Sequence, residues 1–328
     1  MIDTENLVPK GIPNYIKFGE YDDILRIVNS NLFLPIFMSG LSRSGKTCMI
    51  EQVCHETGRE MIRVNITEQT EEDDLIGGFR LQDGNTVWFD GPATVAVKRG
   101  SILLLDEADL GSNKIMCLQP ILEGSSLYLK KIGKVIHPKK GFNILATGNT
   151  KGQGDIRGKF VGTQVMNEAF LERFALTFEH NYPPANVEKA ILSSYLPPNG
   201  VDKRIDSTVV EKLVEWGIGI RKNYEENVAS DLVSTGRLIH IIRAYVIFRN
   251  PFKAVKLGIS RFDDNMKDVF YEMFKKGIPL EEEDFNDDGS GGSKSFIKKQ
   301  MDRMDISDLK SGKKWKPARV ADKDDDDE

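Results

Sequence analysis

Residues 40–47 read Gly40-Leu-Ser-Arg-Ser-Gly45-Lys46-Thr47, a fit to G-x-x-x-x-G-K-[ST]. The octet stands between an apolar run, LFLPIFMSG (32–40), and a segment of helical spacing from Cys48 to Glu56. In that strand–loop–helix setting the glycines let backbone N–H groups wrap phosphates. Lys46 brings a cation to the β and γ phosphates, and the Thr47 hydroxyl offers Mg²⁺ a ligand. The helix that follows adds the positive end of its dipole. The expected nucleotide contacts are therefore Gly40, Ser42, Arg43, Ser44, Gly45, Lys46, Thr47 and Cys48.

Downstream, four more short runs rich in branched or aromatic residues punctuate the chain: MIRVNI (61–66), SILLLDE (101–107), FNILATGN (142–149) and FALTFEH (174–180). Alternating with helix-like segments, they predict an α/β domain, a parallel sheet covered by helices on both faces. The run ending in Asp106-Glu107 delivers two carboxylates to one sheet edge. Asp106 is expected to hold Mg²⁺ through water, and Glu107 to orient and deprotonate an attacking water. Asn149, ending the next run, is placed to help position that water. Arg173 stands just before the last run. There it would point away from its own nucleotide and towards a neighbour's, unless it only pairs with Glu168 or Glu172 on the surface. Arg237, in Ser234-Thr-Gly-Arg237, opens a later helix with Ser234 or Thr235 as its cap, and is placed to report the γ-phosphate.

Past Asn181 only helical spacing is seen, in NVEKAILSSYL (186–196), STVVEKLVEWGIGI (207–220) and DLVSTGRLIHIIRAYVIF (231–248), with Pro183-Pro184 as a hinge before them. The expected organisation is a lead-in over 1–30, with a possible helix at Tyr21 to Val28, a nucleotide-binding core over 31–184, a helical lid over 185–278, and an acidic, Gly/Ser-rich tail over 279–328. Within the tail, Phe296 to Leu309 carries the spacing of a short helix.

Bulk properties narrow the function. The chain has 328 residues, 40% hydrophobic and 29% charged, with a net charge of −5. From Glu281 onward there are 15 acidic and 10 basic residues, so the tail carries the whole imbalance and the first 280 residues are neutral. That argues against a general nucleic-acid binder, which shows a basic excess. No apolar run approaches the roughly 20 residues of a membrane helix, and no secretory signal is visible. Cys48, Cys54 and Cys117 cannot all pair, and read as reduced thiols of a cytosolic protein.

These elements in this order resemble the AAA+ ATPases. DLIGGFRLQDGNTVWFDGPATVAVKRG (74–100), with a hairpin turn expected at Gly84-Asn85, and a second hairpin in SLYLKKIGKVIHP (126–138), narrow the resemblance to the MoxR/chelatase branch. NTKGQGDIRGKFVGTQVMNEAFLERF (149–174) is similar to the ATPase subunit of aerobic cobaltochelatase, with Asn149, Gly154-Asp155, Gly162-Thr163-Gln164 and Arg173 at the matching places. RVNITEQTEEDDLIG (63–77) and KVIHPKKGFNILATGNT (134–150) match the same family, and the likeness covers about residues 9 to 275. It implies an AAA+ P-loop fold with a small all-α lid, ATP and Mg²⁺ as cofactors, and a homo-oligomer, a hexameric ring. It also implies an arginine supplied in trans by Arg173. Partners would be a subunit with a metal-adhesion domain and a large chelatase subunit, in the cytoplasm of a bacterium or phage-infected host. Two departures stand out: Thr-Gly-Arg replaces the family's Ser-Pro-Arg before Arg237, and the tail after Glu281 has no family counterpart. The chain carries no Asp-x-Ser-x-Ser metal-adhesion motif, Asp288-Gly-Ser290-Gly-Gly failing at its last position. Its four histidines, His55, His137, His180 and His240, are scattered. Metal insertion would then belong to partners and force to this chain. The rival expectations are a MoxR-like chaperone acting on another protein, and a ring that binds nucleotide without turnover.

Overall fold

The five apolar runs close into one parallel sheet in the computed structural model, which describes residues 6–154 and 162–285. The strands are β1 (Ile36–Ser39), β2 (Met61–Asn65), β5 (Ile102–Asp106), β8 (Asn143–Gly148) and β9 (Leu176–Glu179). Their order is β2-β5-β8-β1-β9, every pairing parallel. Side chains alternate between the faces of a strand, and each strand sorts its apolar residues accordingly. Ile36, Met38, Met61, Ile102, Leu104 and Leu145 meet α1 (Tyr21–Ser30) and α2 (Lys46–Glu56) on one face. Phe37, Ile62, Leu103, Leu105, Ile144 and Ala146 meet the other layer, which includes α3 (Glu72–Leu75), α4 (Pro92–Arg99) and α5 (Gln119–Leu122). Phe170, on α6 (Glu168–Leu171), and Phe174 complete that second core. Burial on both faces is why the central strands read as continuous apolar runs.

Two antiparallel hairpins stand outside the sheet: β3 (Gly77–Gln82) with β4 (Asn85–Asp90), and β6 (Leu127–Leu129) with β7 (Lys134–Ile136). The first turns one residue earlier than expected. Gln82 pairs with Asn85, so Asp83 and Gly84 make the turn, with φ of 49° and 78°. Positive φ at both central positions is what a type I′ hairpin turn requires, and Asp-Gly supplies it.

Among the described residues the chain beyond β9 is helical: α7 (Ala185–Ser194), α8 (Asp206–Glu225), α9 (Thr235–Phe248), α10 (Pro251–Ile259) and α11 (Asp264–Gly277). Pro184 is the N-cap of α7, and Ser234 that of α9, where its hydroxyl accepts the Arg237 N–H at 3.2 Å. A polar network lies inside this bundle. Arg221 meets both oxygens of Glu188 at 2.9 and 2.7 Å and donates to the Val233 carbonyl, while Thr235 donates to Glu188 at 2.6 Å. Glu188 is wholly buried, so removing its partner strands a charge. Arg221→Met is expected to cost about 3–5 kcal/mol of stability, and adding Glu188→Leu to restore most of it. Chemical denaturation of the two variants checks this; equal losses in both would refute it.

Residues from Pro279 belong to a separate unit, in which Glu282–Phe285 form a single 3₁₀ turn. The helix expected at Phe296 to Leu309 lies outside the described residues, as does Asp155. Among the described residues, no helix is long and apolar enough to cross a membrane.

Candidate nucleotide-binding and hydrolysis site

The carboxyl ends of β1, β5 and β8 converge on one cavity of about 420 Å³. Open α/β sheets bind ligands at this edge. The phosphate loop leaves β1 at Gly40 (φ 154°), where a Cβ would collide with the His180 carbonyl oxygen, and enters α2 at Gly45 (φ 113°). Neither position tolerates a side chain without strain.

Lys46, 7% exposed, donates to the Gly40 and Leu41 carbonyls at 2.7 and 3.0 Å. Burial pushes its pKa down to about 8, against the pull of Asp109, Asp106 and Glu107. The cation is thus short of compensating charge, which phosphates would supply. The Ser44 hydroxyl, buried in the same loop, has no hydrogen-bond partner among the described residues. Together these fit a triphosphate. Thr47 and Asp106 fit a hard divalent cation, which takes oxygen ligands: the Thr47 hydroxyl donates to Asp106 Oδ1 at 2.8 Å. These two would hold Mg²⁺, which when bound would neutralise charge on the phosphates.

Asp106 is almost fully buried and held from several sides. The Thr147 hydroxyl donates to its Oδ1 at 2.5 Å, and Arg63 reaches Oδ2 at 2.5 Å. Thr147 does a second job, accepting the Glu107 N–H at 3.1 Å. That bond holds Glu107 at φ 58°, a left-handed conformation costly for a non-glycine residue, and leaves its carboxylate at the cavity wall. Asp109, fully buried, accepts the N–H groups of Asn149 and Thr150 at 2.8 Å each, and the Thr150 hydroxyl at 3.0 Å. It thereby pins the turn that brings Asn149 to the same wall.

The other half of the cavity is largely apolar. Ile12, Tyr15, Ile16 and Phe18 of the lead-in face Ile191 and Tyr195 around α7 and Ile239 of α9. Such a slot suits a base and sugar. Tyr182 donates to the Ser42 carbonyl at 2.8 Å, and its ring lies 4.3 Å from the Arg221 guanidinium, joining the loop to the helical bundle. Arg43 reaches His240 of α9 at 3.3 Å.

Of the residues expected from sequence, Ser42, Arg43, Ser44, Gly45, Lys46, Thr47, Cys48, Asp106, Glu107 and Asn149 all line this cavity. Gly40 closes the loop behind Lys46. Arg173 and Arg237 are not in the wall. Arg173 pairs with Glu123 at 2.7 Å and donates to the Ala169 carbonyl, so its intrachain partner is neither Glu168 nor Glu172. Arg237 lies 6.0 Å over Phe262, its pKa lowered by burial and by Arg261 and Arg43. Its neighbours Thr235 and Gly236 reach the cavity instead. Sequence reading missed Arg63, Asp109 and Thr147. Asp109 could have been flagged as the third acid of DEAD; nothing marked the other two.

Residues 35–174 match the family model for the AAA domain of the dynein-related subfamily. The aerobic cobaltochelatase subunit CobS of Sinorhizobium sp is 33% identical over 253 residues, covering 75% of this chain and 76% of that one. This chain is an AAA ATPase of the dynein-related, MoxR type. Other relatives of this AAA ATPase are the denitrification regulatory protein NirQ of Stutzerimonas stutzeri, 24% identical over 64% of this chain and 71% of its own, and NorQ of Paracoccus denitrificans, 27% identical over 54% and 63%. A crystal structure from Cytophaga hutchinsonii superimposes with a TM-score of 0.43 at 17% identity, over 88% of this chain and 90% of that one.

Proposed function

We propose that this AAA ATPase is a Mg²⁺-dependent ring motor, the ATPase subunit of a cobaltochelatase-type complex whose partner subunits insert metal into a tetrapyrrole. The observation that carries the hydrolytic part is convergence: Lys46, Thr47, Asp106, Glu107 and Asn149 come from three adjacent strand ends to one cavity. Lys46 and the loop N–H groups grip the β and γ phosphates. Asp106 and Thr47 hold the metal, Glu107 takes the proton of the attacking water, and Asn149 fixes its position. Arg173 completes the site of the next subunit in a hexamer. The chelatase part is supported by the likeness to CobS across three quarters of both chains.

Lys46→Ala is expected to weaken ATP binding about 10–100-fold, the worth of a charge-assisted bond to phosphate, measured by titration with a fluorescent ATP analogue. Full turnover in this variant would sink the assignment. The partner reading is tested by co-expressing the chain with a large chelatase subunit and a subunit bearing a metal-adhesion domain. A stable complex that inserts Co²⁺ into a corrin only with hydrolysable ATP supports it. Active ATPase with neither complex nor insertion overturns it. A second reading is a MoxR-like chaperone that remodels a different protein, since the relatives include a denitrification regulatory protein, NirQ, as well as CobS. In that case the Glu107→Gln form would retain a partner without a metal-adhesion domain.

A further inference from the structure

Arg63 comes to the site from a strand that carries none of the expected machinery. It is the third residue of β2, an edge strand, and pairs in register with Leu104 of β5. Alternation therefore sends its side chain to the same sheet face as Leu104 and Asp106, the face covered by α2. Its guanidinium spans two carboxylates, Asp106 Oδ2 at 2.5 Å and Glu51 Oε1 at 3.1 Å, and borders the cavity. Glu51 stands one helical turn beyond Thr47 on α2. Arg63 thus ties the helix rising from the phosphate loop to the strand end that bears the metal-binding acid.

The two oxygens of Asp106 are differently committed. Oδ1 takes two neutral hydroxyls, from Thr47 and Thr147, while Oδ2 faces a fixed positive charge. A guanidinium cannot lose its proton under ordinary conditions, so this charge is permanent. It holds the carboxylate turned towards β2, and it repels a second cation approaching the same group.

We propose that Arg63 is a positioning residue that makes metal binding conditional on nucleotide. With no triphosphate in the cavity, its charge satisfies Asp106 and opposes a divalent cation there. The negative charge of a triphosphate then tips the balance, and Asp106 is shared with the metal while Glu51 retains the guanidinium. Metal and nucleotide consequently enter as a coupled pair. This rests on the ATPase reading above, and extends it to a residue outside the phosphate loop and the two acidic positions.

The test uses Mn²⁺ as a spectroscopic stand-in for Mg²⁺, with free Mn²⁺ counted by electron paramagnetic resonance, on the full chain with and without a non-hydrolysable ATP analogue. In wild type the analogue should strengthen Mn²⁺ binding markedly. In Arg63→Gln, which keeps a polar contact and drops the charge, Mn²⁺ affinity without nucleotide should rise about tenfold, within the usual span of coupling between sites. The advantage conferred by nucleotide should shrink correspondingly. Arg63→Lys, which keeps the charge and loses the fork, should stay near wild type without nucleotide. A melting scan confirms that each variant is folded. Unchanged Mn²⁺ affinity in folded Arg63→Gln, or equal weakening with and without nucleotide, would overturn the proposal and leave Arg63 a structural brace. Failure of the analogue to bind wild type would instead sink the ATPase reading, as its binding in EDTA, without any metal, reports separately.

Discussion

Glu107→Gln is expected to bind ATP like the wild type and to release phosphate about 10²–10⁴-fold more slowly, the usual contribution of a positioned general base. The substitution changes almost nothing else. The strained backbone at Glu107 is held by its own N–H on the Thr147 hydroxyl, a bond the amide variant keeps. The glutamine side chain fills the same place at the cavity wall but accepts a proton far less readily. Competing acids are otherwise engaged. One oxygen of Asp109 takes three donors and its side chain is fully buried, while Asp106 is occupied by two threonine hydroxyls and Arg63. Phosphate release measured beside equilibrium nucleotide binding separates the two effects. Turnover within about tenfold of wild type would place the base elsewhere.

The legible parts of this fold are those set by short-range chemistry. Each of the five sheet strands lies within its apolar run, because burial on both faces leaves a dense signal of branched residues in a few positions. The phosphate loop is legible for a related reason: its backbone path requires glycine at Gly40 and Gly45, and glycine there is itself the signal. The hairpin turn was misplaced by one residue, since Asp83-Gly84 and Gly84-Asn85 both contain a residue suited to positive φ, and only the pairing of Gln82 with Asn85 chooses between them.

The illegible parts depend on contacts between distant segments. Arg63 joins Asp106 across 43 residues, and Thr147 joins it across 41. An arginine in a strand or a threonine before a glycine carries no mark of such a role. Asp109 is similar: its partners Asn149 and Thr150 are 40 and 41 residues away. Arg237 shows the opposite limit. Its helix and cap were legible from Ser-Thr-Gly-Arg, but the direction of its side chain, over Phe262, is set by α10 and the turn after it.

Arg173→Ala should lose about 10³–10⁵ in turnover, the worth of an arginine supplied in trans to phosphoryl transfer, with ATP binding preserved. Within its own chain Arg173 does not join the walls of the cavity. Its pairing with Glu123 is a surface contact, the two side chains 27% and 50% exposed. Such pairs contribute about 0–1 kcal/mol, so the arginine can leave Glu123 for a stronger anion across a subunit boundary. Its place fits that reach: it follows α6 and stands three residues ahead of β9, an edge strand of the sheet. The decisive measurement is complementation. Arg173→Ala chains keep an intact cavity but offer no arginine, whereas Glu107→Gln chains keep the arginine and lack the base. Each should be inactive alone. Mixed before assembly, they should recover part of the wild-type rate, because an Arg173→Ala cavity beside a Glu107→Gln neighbour has every group it needs. Mixtures that co-assemble, yet stay as inactive as either parent, would show that Arg173 serves only its own chain, as the partner of Glu123.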